Sequence, residues 1–187
     1  MGGIGVYYHG SSVKGLKTLL PYLSEHKQPY IYFATNPVVA SFYMVHMVER
    51  PYNWFTYGFS ELGIPIYTEY YPNAMADVYS GKTGYLYECS KVDDIQNPTN
   101  INCAYTCESP ILIDKCTVFK NIYENFLEYE KQEKLIIHRY ETLSTKMLSF
   151  INKVMQSEMT DNILKSKPNL SYSVFLKTHF PEIWNNI

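Results

Sequence analysis

The chain has 187 residues, of which 46% are hydrophobic and 18% charged, and its formal net charge is -2. This length suffices to bury about two-thirds of the chain's surface in one core, so we predict a single domain over residues 1–187. The near-neutral charge provides no broad basic field for nucleic acid or an anionic membrane, and we expect neither as a partner.

Cysteine usage and hydropathy bear on metal content and location. The sequence has four cysteines but no C-x-x-C pair and no histidine at ligand spacing from them, so we predict no metal site. No stretch approaches the roughly 20 apolar residues that a membrane span needs, and no apolar signal region follows Met1. We therefore expect a cytoplasmic protein with reduced thiols.

The first third predicts two strands and a helix. Residues 5–8 form a short β-prone run that ends in a loop beginning at His9, and residues 29–33 form a second β-prone run. Thr35 and Asn36 can both cap the next element, and Pro37 suits a first helical turn. A helix is therefore predicted over residues 38–48.

The rest of the chain is predicted to be mixed and then mainly helical. We predict a hairpin or irregular flap at 52–71, a short helix at 72–79, strands at 84–89, 110–118 and 135–137, and helices at 119–134, 142–159 and 174–184, the last interrupted at Pro181. The apolar stripe of the 142–159 helix, which is predicted to pack in the core, comprises Leu143, Met147, Phe150, Ile151 and Val154. Within the single domain, residues 1–118 form the predicted core and 119–187 a mainly helical extension.

Two groups of residues suggest a ligand site. His9 stands at a predicted strand end, where a lone histidine is more often structural than catalytic. Gly10 allows a ligand to approach the backbone, whose peptide groups can pair with a planar carboxamide, and Ser11 adds a hydroxyl. Tyr32 ends the next strand and Tyr43 lies on the following helix, so their rings can face each other across a flat ligand, which contributes about 0.5–1.5 kcal/mol beyond burial.

The combination of these residues carries a resemblance to a known family. Tyr8-His9-Gly10-Ser11, followed by Tyr32, by Thr35 and by Tyr43 eleven positions after Tyr32, resembles the diphtheria-toxin and poly-ADP-ribose-polymerase branch of the ADP-ribosyltransferases. The opening and residues 84–88 also resemble rifamycin ADP-ribosyltransferases. The resemblance implies an α+β fold, in which a split antiparallel sheet carries C-terminal helices. With the same opening and with Tyr71-Pro72-Asn73-Ala74 and Arg139-Tyr140-Glu141, the whole chain also resembles uncharacterised small bacterial proteins, and this wider resemblance implies no known function.

The resemblance implies NAD as the substrate that the site binds. His9 would hydrogen-bond a ribose hydroxyl of NAD, with Ser11 beside it, and the Gly10 backbone would hold the nicotinamide amide. Tyr32 and Tyr43 would sandwich the nicotinamide ring. Positive charge builds on the ribose as nicotinamide leaves, so a carboxylate aimed at the sugar is expected.

The identity of that carboxylate stays open between three glutamates. The family places its glutamate at the start of a late strand, and Glu108, just before residues 109–113, is the best positional match. Glu69 and Glu88 are rivals. Each of the three is otherwise an ordinary solvated acid.

Three functions and one structural interpretation follow. The leading hypothesis is an enzyme, either a mono-ADP-ribosyltransferase with an unknown acceptor or an NAD glycohydrolase. The alternative is a catalytically inactive module that binds NAD or ADP-ribose. A third is an RNA 2'-phosphotransferase-like protein, which is less favoured because the stretch around His9 supplies only Lys14 and Lys17 for phosphates. The structural interpretation is that the aromatic residues simply fill a core.

Overall fold

The structure is a computed structural model that describes residues 5–23, 28–45, 57–98, 101–161 and 163–186. It is a mixed α+β fold with antiparallel sheets and several helices. The chain divides into two compact units, the first formed by Met1–His46 and Tyr79–Lys131 and the second by Met47–Val78 and Gln132–Ile187. This grouping differs from the predicted division at residue 118, because residues 119–131 belong to the first unit and residues 47–78 to the second.

The described strands, in chain order, are β1 (Tyr7–Ser11), β2 (Thr18–Leu19), β3 (Tyr22–Leu23), β4 (Pro29–Ala34), β5 (Tyr57–Phe59), β6 (Pro65–Thr68), β7 (Gly84–Cys89), β8 (Ala104–Cys107), β9 (Ile111–Leu112), β10 (Lys115–Phe119) and β11 (Ile136–His138). The first unit contains a six-stranded antiparallel sheet in the order β10-β7-β1-β4-β3, in which β8 also pairs with β4. A separate ladder joins β2 to β9.

The described α-helices are α1 (Pro37–Ser41), α2 (Ala74–Tyr79), α3 (Ile122–Lys131), α4 (Thr145–Asp161), α5 (Ser171–His179) and α6 (Pro181–Asn186), and 3-10 turns cover Phe42–Met44, Tyr140–Thr142 and Leu164–Ser166.

Helix α1 begins as predicted, because Asn36 Oδ1 accepts hydrogen bonds from the Val38 and Val39 amides. It ends earlier than predicted and continues as a 3-10 turn. Ser41 Oγ donates to the Pro37 carbonyl at 2.7 Å, a local bond that competes with the helical ladder. Residues 46–48 of the predicted helix lie outside the described residues.

The sheet of the first unit has two faces that differ in what they contact. On one, here called the core face, Tyr7, Ile31 and Phe33 join a buried apolar cluster. On the other, here called the helix face, Gly10 lies against the backbone of α1. A Cβ atom built at Gly10 would stand 1.9 Å from the Ala40 carbonyl oxygen. The glycine is therefore required for the close approach of strand and helix.

Two strand predictions need correction. Strand β1 was expected to end at residue 8, with His9, Gly10 and Ser11 in a loop, but it continues to Ser11 because each of its residues pairs with β7, from Tyr7↔Cys89 to Ser11↔Tyr85. The single strand predicted over 110–118 is split into β9 and β10. The break occurs where Asp114 accepts hydrogen bonds from the Ser90 amide and hydroxyl at 2.6 and 2.7 Å.

The second unit combines a small sheet with a helical core. Strands β5 and β6 form a hairpin, one of the two alternatives expected for residues 52–71, of which 52–56 lie outside the described part, and β11 pairs parallel with β6. The buried cluster of this unit follows Ile151, Met155 and Met159 along one side of α4. Phe150 was predicted to share that stripe, but it is 52% exposed, because the buried side follows the spacing of four from Ile151.

A histidine packs among aromatic rings at the end of α5 in the second unit. The His179 ring lies 4.0 Å from that of Tyr71 and 4.5 Å from that of Phe175, between ring centroids. Its Nε2 atom is 3.8 Å from Asp77 Oδ2. Burial lowers the pKa of His179, and the Asp77 carboxylate acts in the opposite direction. The folded unit therefore favours neutral imidazole.

Candidate functional site

His9 is half-buried on the core face of β1, where it is held by a backbone carbonyl. Its Nδ1 atom lies 2.9 Å from the carbonyl oxygen of Tyr32, and its ring meets that of Phe33 edge-on at 6.3 Å. A carbonyl only accepts, so Nδ1 carries the hydrogen and a neutral ring keeps Nε2 as an acceptor. Burial lowers the pKa of His9, and the bond to Tyr32 opposes that shift. The arrangement thus presents a neutral imidazole acceptor.

The His9 bond spans the place where β1 and β4 part. Among the described residues, the two strands share one register pair, Tyr8↔Ala34. The other edge of β1 is paired with β7 along its whole length. Beyond Tyr8, the described link from β1 to β4 is therefore the His9 side chain. From His9 to Ser11, the edge of β1 on the β4 side faces a gap between the two strands.

The two tyrosines of the predicted site are both exposed. Tyr32 is 39% exposed and leaves β4 on the helix face, since its neighbours Ile31 and Phe33 occupy the core face. Tyr43 is 49% exposed and lies in the 3-10 turn Phe42–Met44, which packs on the helix face at Gly10. The two tyrosine side chains thus lie on the helix face. The His9 side chain lies on the core face and contacts the backbone carbonyl of Tyr32.

Ser11 is partly committed to local structure. Its hydroxyl oxygen accepts a hydrogen bond from the Val13 amide at 3.1 Å, which begins the turn after β1. The same segment is held by Tyr87, whose hydroxyl donates to the Val13 carbonyl at 2.7 Å and accepts from the Leu16 amide at 3.2 Å. Tyr87 was not predicted as a support for this loop, because the contact joins segments that are more than 70 positions apart in the chain.

The three candidate glutamates have different surroundings. Glu69 belongs to the second unit and is 3% exposed, and its two carboxylate oxygens accept hydrogen bonds from the Met75 and Tyr140 amides at 3.1 and 3.2 Å. Glu88 forms an ion pair with Lys115 at 2.8 Å. Glu108 is exposed just after β8. Glu69 therefore caps the first turns of two helical segments, and Glu88 is neutralised by a cation.

Sequence reasoning missed two buried polar atoms near β8. Among the described residues, the buried side-chain oxygens or nitrogens without a hydrogen-bond partner are Thr106 Oγ1 and Asn97 Oδ1. Thr106 is the register partner of Tyr32 and pairs through its backbone with Gln96. No motif marked either residue, since β8 itself was not predicted.

Comparison of the chain with protein-family models, with curated proteins and with solved structures finds no match. Within the described ranges, no group of three or more histidine, cysteine, aspartate or glutamate side chains is placed to hold a metal ion. None of the helices in the same ranges combines the length and apolarity needed to cross a membrane. The functional proposal therefore depends on the geometry of the residues themselves.

Proposed function

We propose that the first unit is an ADP-ribosyltransferase-like domain that binds NAD where β1 and β4 separate and transfers ADP-ribose to an acceptor or hydrolyses NAD. The observation that carries the proposal is the 2.9 Å contact between His9 Nδ1 and the Tyr32 carbonyl. It joins the histidine and the first tyrosine of the family pattern at the gap in the sheet.

The groups around that gap suit the parts of NAD. The neutral His9 ring offers Nε2 as an acceptor for a ribose hydroxyl, and the Ser11 hydroxyl hydrogen can donate. Gly10 lies in the part of β1 that extends past its pairing with β4, and the resemblance assigns its backbone to the carboxamide. Tyr32 and Tyr43 supply exposed aromatic faces for the nicotinamide ring on the helix side.

The proposed reaction breaks the bond between nicotinamide and the ribose. Nicotinamide leaves with the bonding electrons, and water or an acceptor nucleophile then bonds to the ribose carbon and loses a proton. Glu108 is the remaining candidate for the carboxylate that stabilises the positive sugar, since Glu69 is buried on two amides and Glu88 is paired with Lys115. Glu108 is exposed and takes part in none of the ion pairs of the described residues.

The same glutamates favour a second candidate function, a binding module without transferase activity. Two of the three acids are committed to other partners, and Glu108 follows β8, which is separated from β1 by β4. The RNA 2'-phosphotransferase hypothesis gains no such support. Strands β1, β4 and β8 contain no lysine or arginine that could converge on phosphates.

Calorimetric titration with NAD and ADP-ribose, followed by a nicotinamide-release assay on the same sample, tests the proposal. We expect both ligands to bind the wild-type protein, and we expect His9→Ala to weaken NAD binding because the ribose acceptor is lost. Glu108→Gln should abolish nicotinamide release while NAD still binds, whereas Glu69→Gln and Glu88→Gln should retain release per folded molecule.

The outcomes separate the candidate functions. Binding of NAD without nicotinamide release by the wild-type protein would establish the binding module in place of the enzyme. A wild-type protein that binds neither NAD nor ADP-ribose would show that the whole proposal is wrong.

A further inference from the structure

The hydroxyl of Thr106 is buried without a protein partner in the described part of the chain. Thr106 is 3% exposed, and its Oγ1 atom forms no hydrogen bond there. Its backbone is fully engaged, because its amide and carbonyl both pair with Gln96 at 2.8 and 2.9 Å. A buried hydroxyl without a partner loses its hydration without compensation, so a group that satisfies it would bind favourably.

Among the described threonines, several differ from Thr106 in that their hydroxyl has a partner. Four of them donate their hydroxyl to a backbone carbonyl at 2.8–3.2 Å, and they are Thr83, Thr142, Thr160 and Thr178. Thr142, Thr160 and Thr178 reach a carbonyl three or four residues earlier in their own turn or helix, whereas Thr83 reaches the Lys120 carbonyl. Thr106 lies within an extended strand, whose side chains stand away from their own backbone.

The register of β4 and β8 places Thr106 beside the proposed NAD site. The two strands pair without interruption from Ile31↔Cys107 to Ala34↔Ala104, and Thr106 is opposite Tyr32. Directly opposed residues point to the same face, with Cβ atoms about 5 Å apart. Thr106 therefore shares the helix face with Tyr32, whose ring is the proposed stacking platform.

We infer that the Thr106 hydroxyl hydrogen-bonds a neutral amide or hydroxyl group of the ligand that stacks on Tyr32. The inference rests on the proposed function. Tyr32 is 39% exposed and lies opposite Thr106, so a change of its rotamer on stacking would open the hydroxyl to the ligand. The three strands around the position carry no charged side chain, so the ligand group is neutral rather than a phosphate.

The test measures binding of three probes, NAD, nicotinamide and ADP-ribose, to wild-type protein and to Thr106→Val, Thr106→Ser and His9→Ala. Valine keeps the shape of threonine and removes the hydroxyl, whereas serine keeps the hydroxyl. The matched control is Thr117→Val on β10, since Thr117 also lies on the helix face, opposite Leu86. We expect Thr106→Val to bind NAD about 3- to 10-fold more weakly, and Thr106→Ser and Thr117→Val to bind within about twofold of wild type.

The probes identify the ligand group. If Thr106→Val binds nicotinamide more weakly than wild type, the Thr106 hydroxyl contacts the carboxamide. If it binds ADP-ribose more weakly, the hydroxyl contacts a sugar hydroxyl. Either result supports the inference. The ligand-free Thr106→Val protein should melt no lower than wild type, because no bond within the protein is lost.

Three results would overturn the inference, and they are distinguishable. Unchanged binding of all probes by Thr106→Val, with weakened binding by His9→Ala, removes the Thr106 role and leaves the proposed function intact. A clearly lower melting temperature of ligand-free Thr106→Val shows that the hydroxyl has a partner inside the protein. Absence of binding by wild type removes both.

Discussion

Replacement of Gly10 by alanine tests whether this glycine is required by packing. In the structure, the added Cβ atom would lie 1.9 Å from the Ala40 carbonyl oxygen, 2.9 Å from the Ala40 carbonyl carbon and 3.3 Å from the Met44 amide nitrogen. All of these are backbone atoms, so β1 or α1 must shift to relieve the overlap. Overpacking of this kind costs about 3 kcal/mol at the upper end of the usual range.

The expected loss is measurable by urea and thermal denaturation. In a chain of this size each kcal/mol corresponds to about 2–4 °C, so Gly10→Ala should melt about 6–12 °C below wild type. Gly58→Ala is the control, since Gly58 is also a strand glycine and no atom of the described residues lies within 4 Å of the position that its added methyl group would occupy. Gly58→Ala should be neutral or slightly stabilising. A Gly10→Ala protein as stable as wild type would refute the packing argument.

Three further predictions concern the buried polar groups. Glu69→Gln should lower the free energy of unfolding by about 1–3 kcal/mol in urea denaturation, because an amide NH₂ cannot accept from both backbone amides; unchanged stability would contradict the capping role. Tyr87→Phe should lower the free energy of unfolding by about 1–2 kcal/mol and speed hydrogen exchange at the Leu16 amide, because both bonds of the hydroxyl are lost. Unchanged exchange at Leu16 would show that these bonds do not hold the loop. Because burial lowers the pKa of His9 and His179, the unfolded chain takes up protons first as pH falls, so stability should decrease below about pH 6.5. Urea unfolding at pH 7.5 and 5.5 checks the last point, and His9→Asn with His179→Asn should flatten the dependence.

The elements that sequence reasoning placed well depend on neighbouring residues. Strand β7 and the run that became β4 are dense in aromatic and β-branched residues, and the start of α1 follows from an asparagine cap before a proline. The break at Pro181 is likewise local, because proline suits the first turn of a new helix and cannot continue the previous one. Such signals act within one or two turns of chain and can be read without knowing the fold.

The candidate site was only partly accessible to the same reasoning. The sequence alone selected His9, Tyr32 and Tyr43, but it could not show that the histidine contacts the tyrosine backbone or that the two side chains leave the sheet on opposite faces. It preferred Glu108 to Glu69 by position alone and could not show how the surroundings of the two carboxylates differ. Burial on two backbone amides separates them, and burial depends on residues distant in sequence.

The sequence itself determined the composition, the local strand and helix preferences, and the spacing of the histidine and the two tyrosines. Tertiary structure alone decided that β1 runs through Ser11, that Gly10 admits a helix backbone and that Thr106 is buried opposite Tyr32. The physical reason is that strand pairing and burial join segments far apart in the chain, and the free energy of those contacts outweighs the weaker preferences of each segment alone.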